Sequence, residues 1–261
     1  MHEEGALHIE LASERLGSVW GLPITTSLLT TWLVLITLLI MAFVVGRMLR
    51  MKPGRFQASV ELLYEYVFGY VRDMLESDKL AKRYFPFIAT IFLFILTANL
   101  FDFLPIFGTI GIHRGEEFVP LFHAVNADLN TTLALAIISF FVIEISGILT
   151  LGVLKYGGKF VNFKGGAMGF IVGLLELIGN LARLISFSFR LFGAIFAGEV
   201  LLMVIGTFVP YLLPIPLMAF EIFISILQAG IFAILTLAFI KIAIAEPHGS
   251  HDEAHAVGAH S

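Results

Sequence analysis

The sequence predicts an all-α polytopic membrane protein with five transmembrane helices and one amphipathic membrane-surface helix. Its last two helices form a long tilted antiparallel hairpin. Three observations predict this. Of 261 residues, 58% are hydrophobic and only 14% are charged, against about 25% charged in a typical soluble domain. Apolar stretches recur that reach the ~20 helical residues needed to cross a ~30 Å hydrocarbon core. Connections rich in Lys and Arg alternate with connections poor in them, as the positive-inside rule requires.

Residues 1–23 read as a short, mostly acidic tail. Leu16 to Gly46 carries no charge, and the first span is placed at 24–46. The run starts too late, and is too long, for a signal-peptide h-region of about 7–15 residues, so it is expected to stay in the chain. Arg47, Arg50, Lys52 and Arg55 follow, and Pro53-Gly54 breaks the helix. Over 56–76, Val60, Leu63, Val67, Val71 and Met74 recur at three- and four-residue steps. Gln57, Glu61, Glu65, Arg72 and Glu76 fall mainly on the other face. That pattern is an amphipathic helix, and its place beside a span sets it along the membrane surface.

Span two is placed at 84–104, after Lys79, Lys82 and Arg83 and before Pro105, with Asn99 and Asp102 near its end. The loop 105–130 holds Glu116, Glu117 and Asp128 but a single basic residue, Arg114. Span three covers 131–154 and contains Glu144. Lys155, Lys159 and Lys164 follow among glycines that suit a turn. The fourth apolar stretch, 166–209, gives a helix about 66 Å long, twice the hydrocarbon thickness, so it must tilt, bend or protrude. Pro210, Pro214 and Pro216 mark an uncharged turn, and 217–245 returns as helix five. The tail 246–261 is polar and holds four of the eight histidines. Isolated histidines in a solvated tail do not make a metal site, and no cofactor or metal is expected.

Eight Lys/Arg lie in 47–83 and three in 155–164, against one in 105–130. The expected topology therefore has the N-terminus outside, with the surface helix and the C-terminus cytoplasmic. A net charge of −4 gives no reason to expect nucleic-acid binding. No cysteine is present, which removes disulfides, thiol nucleophiles and Cys-ligated zinc. No G-x-x-x-x-G-K-[ST] string occurs, so phosphate chemistry belongs elsewhere. No internal repeat is apparent, which disfavours an inverted-repeat transporter.

The chemistry concentrates in helices four and five. Between Gly165 and Phe220 the only charges are Glu176, Arg183, Arg190 and Glu199. A guanidinium does not lose its proton at physiological pH, and placing one at mid-membrane costs at least about 2.5–3.5 kcal/mol. Arg190 is far from either end of its apolar stretch, too far to snorkel to the interface. Glu176, Arg183 and Arg190 are spaced seven apart and form one slowly drifting stripe. Glu199 falls on the opposite face. Glu176 is about 21 Å from Arg190 in one direction along the axis, and Glu199 about 13 Å in the other. A hairpin centred near residue 209 brings Gln228 level with Arg190 and Glu221 level with Glu199. Two carboxyls in a poorly solvated site do not both ionise easily, so the pair can take and give a proton. The fixed cation of Arg190 blocks a direct passage. This arrangement is two half-paths with a positive barrier between them. It moves ions once a second subunit carries a carboxyl past Arg190.

The string Ile185-Ser186-Phe187-Ser188-Phe189-Arg190-Leu191-Phe192-Gly193, with Ala197-Gly198-Glu199 after it, resembles the signature of the subunit a family of F-type ATP synthases. Pro53-Gly54-Arg55-Phe56-Gln57, Asn99 to Pro105, Ala127-Asp128-Leu129-Asn130 and Gln228-Ala229 with Phe232 extend the resemblance, in order, over most of the chain. It implies that Arg190 faces a rotating ring of c proteolipid subunits. It implies an outer half-channel at Glu199 and Glu221 and an inner one at Glu176. Arg183, which could equally neutralise Glu176, and Gln228, which could equally bond the helices together, are further candidates for the ion path. Asn99, Asp102, Asp128 and Asn130 form a wider set carried by the same motifs. The implied partners are the c-ring, peripheral-stalk b-type subunits, the remaining synthase subunits and lipid. The implied location is the bacterial plasma membrane, and the chain alone is not an enzyme. Two positions depart from the family pattern. Ala194 stands where many members have Asn, and Glu221 where many bacterial members have His. Glu144 has no counterpart and reads as structural. The competing readings are a self-contained channel or secondary transporter whose central arginine binds an anionic substrate, and a membrane scaffold.

Overall fold

The computed structural model describes residues 15–19, 22–49, 54–104, 110–114, 117–160, 166–209 and 212–245. Most of the expected tail 1–23, the tail 246–261 and the prolines at 105 and 210 lie outside them. Two short strands, β1 (Arg15–Val19) and β2 (Leu22–Thr25), pair antiparallel ahead of α1 (Thr26–Met48). Thr25 caps α1 by accepting from the Leu28 N–H at 3.3 Å. Helix α2 (Arg55–Leu75) ends at Glu76, a non-glycine residue in the left-handed region at φ 54°.

Helix α3 (Asp78–Phe101) starts six residues before the Tyr84 expected for span two and ends before Leu104. Ser77 caps it, accepting from the Leu80 N–H at 3.5 Å. Lys79, Lys82 and Arg83 are therefore helical. Hydropathy locates the apolar part of a helix, whereas the backbone ladder runs on to the next cap. A second antiparallel pair, β3 (Gly111–Arg114) and β4 (Glu117–Pro120), folds the following loop into a hairpin. Helix α4 (Leu129–Leu151) is capped by Asp128 and stops at Gly152, whose φ of 83° suits glycine alone. The glycine-rich stretch expected to turn is instead a short helix, α5 (Val153–Phe160). Its Tyr156 ring packs against Gly147 of α4. The long hairpin follows as α6 (Gly166–Phe208) and α7 (Pro214–Ile244).

Among the described residues, five helices are long and apolar enough to cross a membrane: α1, α3, α4, α6 and α7. Helix α7 sits centrally, packed on α3, α4 and α6, while α1 is tied on through α3. Phe232, Leu237 and Ile240 of α7 are buried with Ile95 of α3, Ala136 of α4 and Leu191 of α6. Lipid is as apolar as these side chains, so close packing and interhelical hydrogen bonds hold the helices together rather than escape from water. Thr132 of α4 and Ser188 of α6 supply one such bond, buried, at 3.3 Å. The Phe187 ring lies 5.0 Å from Phe232 and 5.5 Å from Phe239, which sets the register of the hairpin. Most large apolar side chains of α1, and those of one face of α6, are exposed, as a lipid-facing or partner-facing surface requires.

Candidate functional site

Arg190 lies on the open face of α6. Its neighbours on that face, Ile185 and Phe189, are 54% and 56% exposed, and Glu176, Ala182 and Ser186 are exposed too. The guanidinium donates to Ser186 Oγ at 3.3 Å, one helical turn away. Among the described residues no carboxylate lies within ion-pair distance of it. Gln228, which the sequence placed level with it, is buried on α7 and its Nε2 has no hydrogen-bond partner. Among the described residues no hydrogen bond joins the two.

Toward the α6–α7 turn, carboxyls converge. The Glu221 side chain lies across Gly198, where a Cβ would sit 2.8 Å from its Cδ. Only glycine leaves that room. Glu221 is thereby set against the turn of α6 that carries Glu199, and Asp102, the C-cap of α3, lies near both carboxyls. His123, which the sequence reading did not select, brings its Nδ1 to 3.8 Å from Glu199 Oε1. Asn99 is buried beneath this cluster. It accepts from Asn126 Nδ2 at 2.6 Å and donates to the Ser225 carbonyl of α7 at 3.3 Å. Asp128 accepts from the backbone N–H and the amide of Asn130, at 2.9 and 3.0 Å. Asp128 and Asn130 thus build the start of α4, and Asn99 ties α3 to α7 and to the incoming loop.

The other end of α6 holds a second polar group. Glu144 of α4 accepts from the Tyr156 hydroxyl at 2.9 Å and from Asn180 Nδ2 at 3.2 Å. Arg183 donates to Asn180 Oδ1 at 2.8 Å, and its guanidinium lies 4.8 Å from the centre of the Phe239 ring. Burial, then the hydrogen bond to Glu144, push the Tyr156 phenol above its ordinary range. Arg183 is thus bound to Asn180 rather than ion-paired with Glu176, whose side chain is exposed one heptad away. Glu144 joins α4, α5 and α6 at this point.

His123, Tyr156 and Asn180 were not singled out from the sequence. Each matters through a partner distant in the chain, and no periodicity marks such a contact. A histidine shortly ahead of Asp128 was the one available signal for His123.

Comparison with known proteins gives a consistent result. A family described as ATP synthase A chain matches residues 28–241. The chain is 34% identical to an ATP synthase subunit a of Campylobacter fetus, over 83% of this chain and 89% of the relative. It is 32% identical to an ATP synthase subunit a of Geobacter sulfurreducens, over 84% and 87%. It is 31% identical to a sodium-ion-specific ATP synthase subunit a of Propionigenium modestum, over 92% and 82%.

Proposed function

The chain belongs to the ATP synthase A chain family, and on that premise we propose that it is the stator half of a rotary proton path. It is a multi-pass, non-catalytic, ion-translocating subunit of the membrane sector of the synthase. In the proposed mechanism the exposed face of α6 lies against a ring of c proteolipid subunits. An outer half-path runs through Glu199 and Glu221. An inner one opens at Glu176, beside Arg183. Arg190 separates them. A ring carboxyl that meets Arg190 gives up its proton, because the guanidinium favours the carboxylate. It cannot pass protonated from one half-path to the other without rotating through the lipid. The same fixed cation repels any proton moving straight across. Gln228 supports the wall behind this site. Asn99, Asp102, Asp128 and Asn130 hold the outer entrance in shape. Peripheral-stalk b-type subunits anchor the chain against torque. The proposed setting is a bacterial plasma membrane, with the α6–α7 turn outside and the C-terminus cytoplasmic.

One observation carries this reading. Arg190 is exposed on an apolar helix face and has no acidic partner among the described residues. A desolvated guanidinium is costly, so a counter-charge from another chain is the simplest occupant of that face. Cysteine cross-linking tests it, and no native cysteine interferes. Cysteines replacing the exposed Ala182 or Phe189 should cross-link to cysteines in the carboxyl-bearing helix of the ring. A cysteine replacing the buried Leu191 should not. Cross-linking at Leu191 alone would place the ring on a different face.

A further inference from the structure

His123 occupies the connection between β4 and α4. Ala124 and Ala127, next to it, pack on Ile195 of α6. Its backbone N–H donates to Thr30 Oγ1 of α1 at 3.3 Å, and Thr30 itself donates to the Thr26 carbonyl at 3.2 Å. The backbone at this position is therefore held between two helices. The imidazole projects toward Glu199, with Nδ1 at 3.8 Å from Oε1, and the two side chains are 29% and 38% exposed. The pair is neither sealed in the core nor free on the surface.

Among the described residues, the titratable groups near this point are Glu199 of α6, Glu221 of α7, Asp102 at the end of α3 and Asp128, which caps α4, and all four are acids. A protonated imidazole is attracted to such a cluster, and imidazole is the side chain that gains and loses a proton in the physiological range.

We infer that His123 is a proton-exchange residue of the outer half-path, passing protons between the external water and Glu199. The inference rests on the reading of Glu199 and Glu221 as that path. The transfer balances simply. With Glu199 as carboxylate and the ring proton on Nδ1, a hydronium ion from the external water gives a proton to Nε2 and leaves as water, and the Nδ1–H bond breaks as the Glu199 Oε1–H bond forms. Neutral imidazole and neutral carboxyl remain. The ring resets by exchanging its remaining proton between nitrogens through water. A separation of 3.8 Å exceeds a hydrogen bond, so a small side-chain rotation or one bridging water closes it at the moment of transfer.

The test uses the whole synthase in membrane vesicles, with His123→Ala and His123→Gln beside the unaltered complex. General acid–base groups typically contribute about 10²–10⁴-fold, and one station of a relay bypassed by water should cost at least about tenfold at alkaline external pH. The loss should shrink at acidic external pH, where solvent protonates Glu199 directly. Imidazole added outside should restore part of the His123→Ala rate. A merely structural role would give neither the pH shift nor the rescue. If His123→Ala does not assemble, His123→Gln, which keeps the Thr30 contact and similar bulk, decides. Full rates with an unchanged external pH profile would overturn the proposal, as would sodium-dependent pumping indifferent to His123. Arg190→Ala in the same vesicles separates the two levels. Lost pumping there with no effect at His123 overturns this inference alone. Retained pumping there overturns the underlying reading.

Discussion

Glu221 of α7 lies directly over Gly198 of α6, and this contact sets the carboxyl beside Glu199. The displaced atoms are the end of a flexible side chain, so Gly198→Ala should cost little stability, within the ~1 kcal/mol of a mild overpacking. It should nonetheless push the Glu221 carboxyl away from Glu199. The expected result is normal assembly with slower coupled pumping, most marked when external protons are scarce. Assembly is read from the amount of intact complex and pumping from vesicle acidification.

Gly147 makes the opposite case. A Cβ there would meet the Tyr156 ring, with Cζ at 2.8 Å, and that ring is pinned by its hydrogen bond to Glu144. An aromatic ring has no free end to swing aside. Gly147→Ala should break the Tyr156–Glu144 bond and detach α5 from α4, at about 1–3 kcal/mol for overpacking and an orphaned carboxylate oxygen. Faster proteolysis within 153–160, together with a lower melting temperature of the purified complex, is the expected readout.

Asn180 links Glu144 to Arg183 through both ends of its amide. Asn180→Leu keeps the branched shape of the side chain and leaves both charged groups short of a partner. A hydrogen bond lost at a charged group costs about 1.5–3 kcal/mol. Asn180→Leu should therefore be worse than Glu144→Gln, which keeps an acceptor for Tyr156. Melting temperatures of the two variants, compared side by side, check the order.

Lys241 near the end of α7 donates to Glu76 at 2.7 Å, clasping α2 to the bundle. The hydrogen bond to Lys241 and its charge hold the Glu76 carboxyl below the usual carboxylate range. A depressed carboxyl contributes its stabilisation above its ordinary pKa and loses it as pH falls through the lowered value. The clasp should thus be intact at neutral pH and released only in acid. Because both groups are exposed, high salt should weaken it as well. A distance probe between α2 and α7 should report closure at neutral pH and opening in acid, and Glu76→Gln should abolish that pH response.

The five spans and the surface helix were legible because each is a long apolar or amphipathic run, and such runs depend only on neighbours in the chain. Arg190, Glu199 and Glu221 stood out for the same reason, as charges where hydrocarbon was expected. The two β hairpins left no such mark, since strands of four or five residues are too short for a period to emerge. Glu144 was visible as a charge within α4, but its partners Tyr156 and Asn180 come from two other helices. The same holds for His123 and Glu199, brought together by the path of the loop over α6. Register along the hairpin was read from polar residues. The tilted contact of the Phe187 and Phe232 rings and the Glu221–Gly198 contact fix it in space, while Gln228 turns inward from the face that carries Arg190.

The central claim is that the Arg190 cation works on a partner's carboxyl rather than holding this chain together. ATP-driven proton pumping by vesicles carrying Arg190→Ala measures it most directly, with Arg190→Lys alongside. The account predicts normal assembly, since the described residues give the guanidinium only Ser186 to hold, and complete loss of coupled pumping with alanine. Lysine should rescue poorly, because it lacks the guanidinium's geometry and can lose its proton when desolvated. Near-normal coupled pumping by the alanine variant would contradict the account.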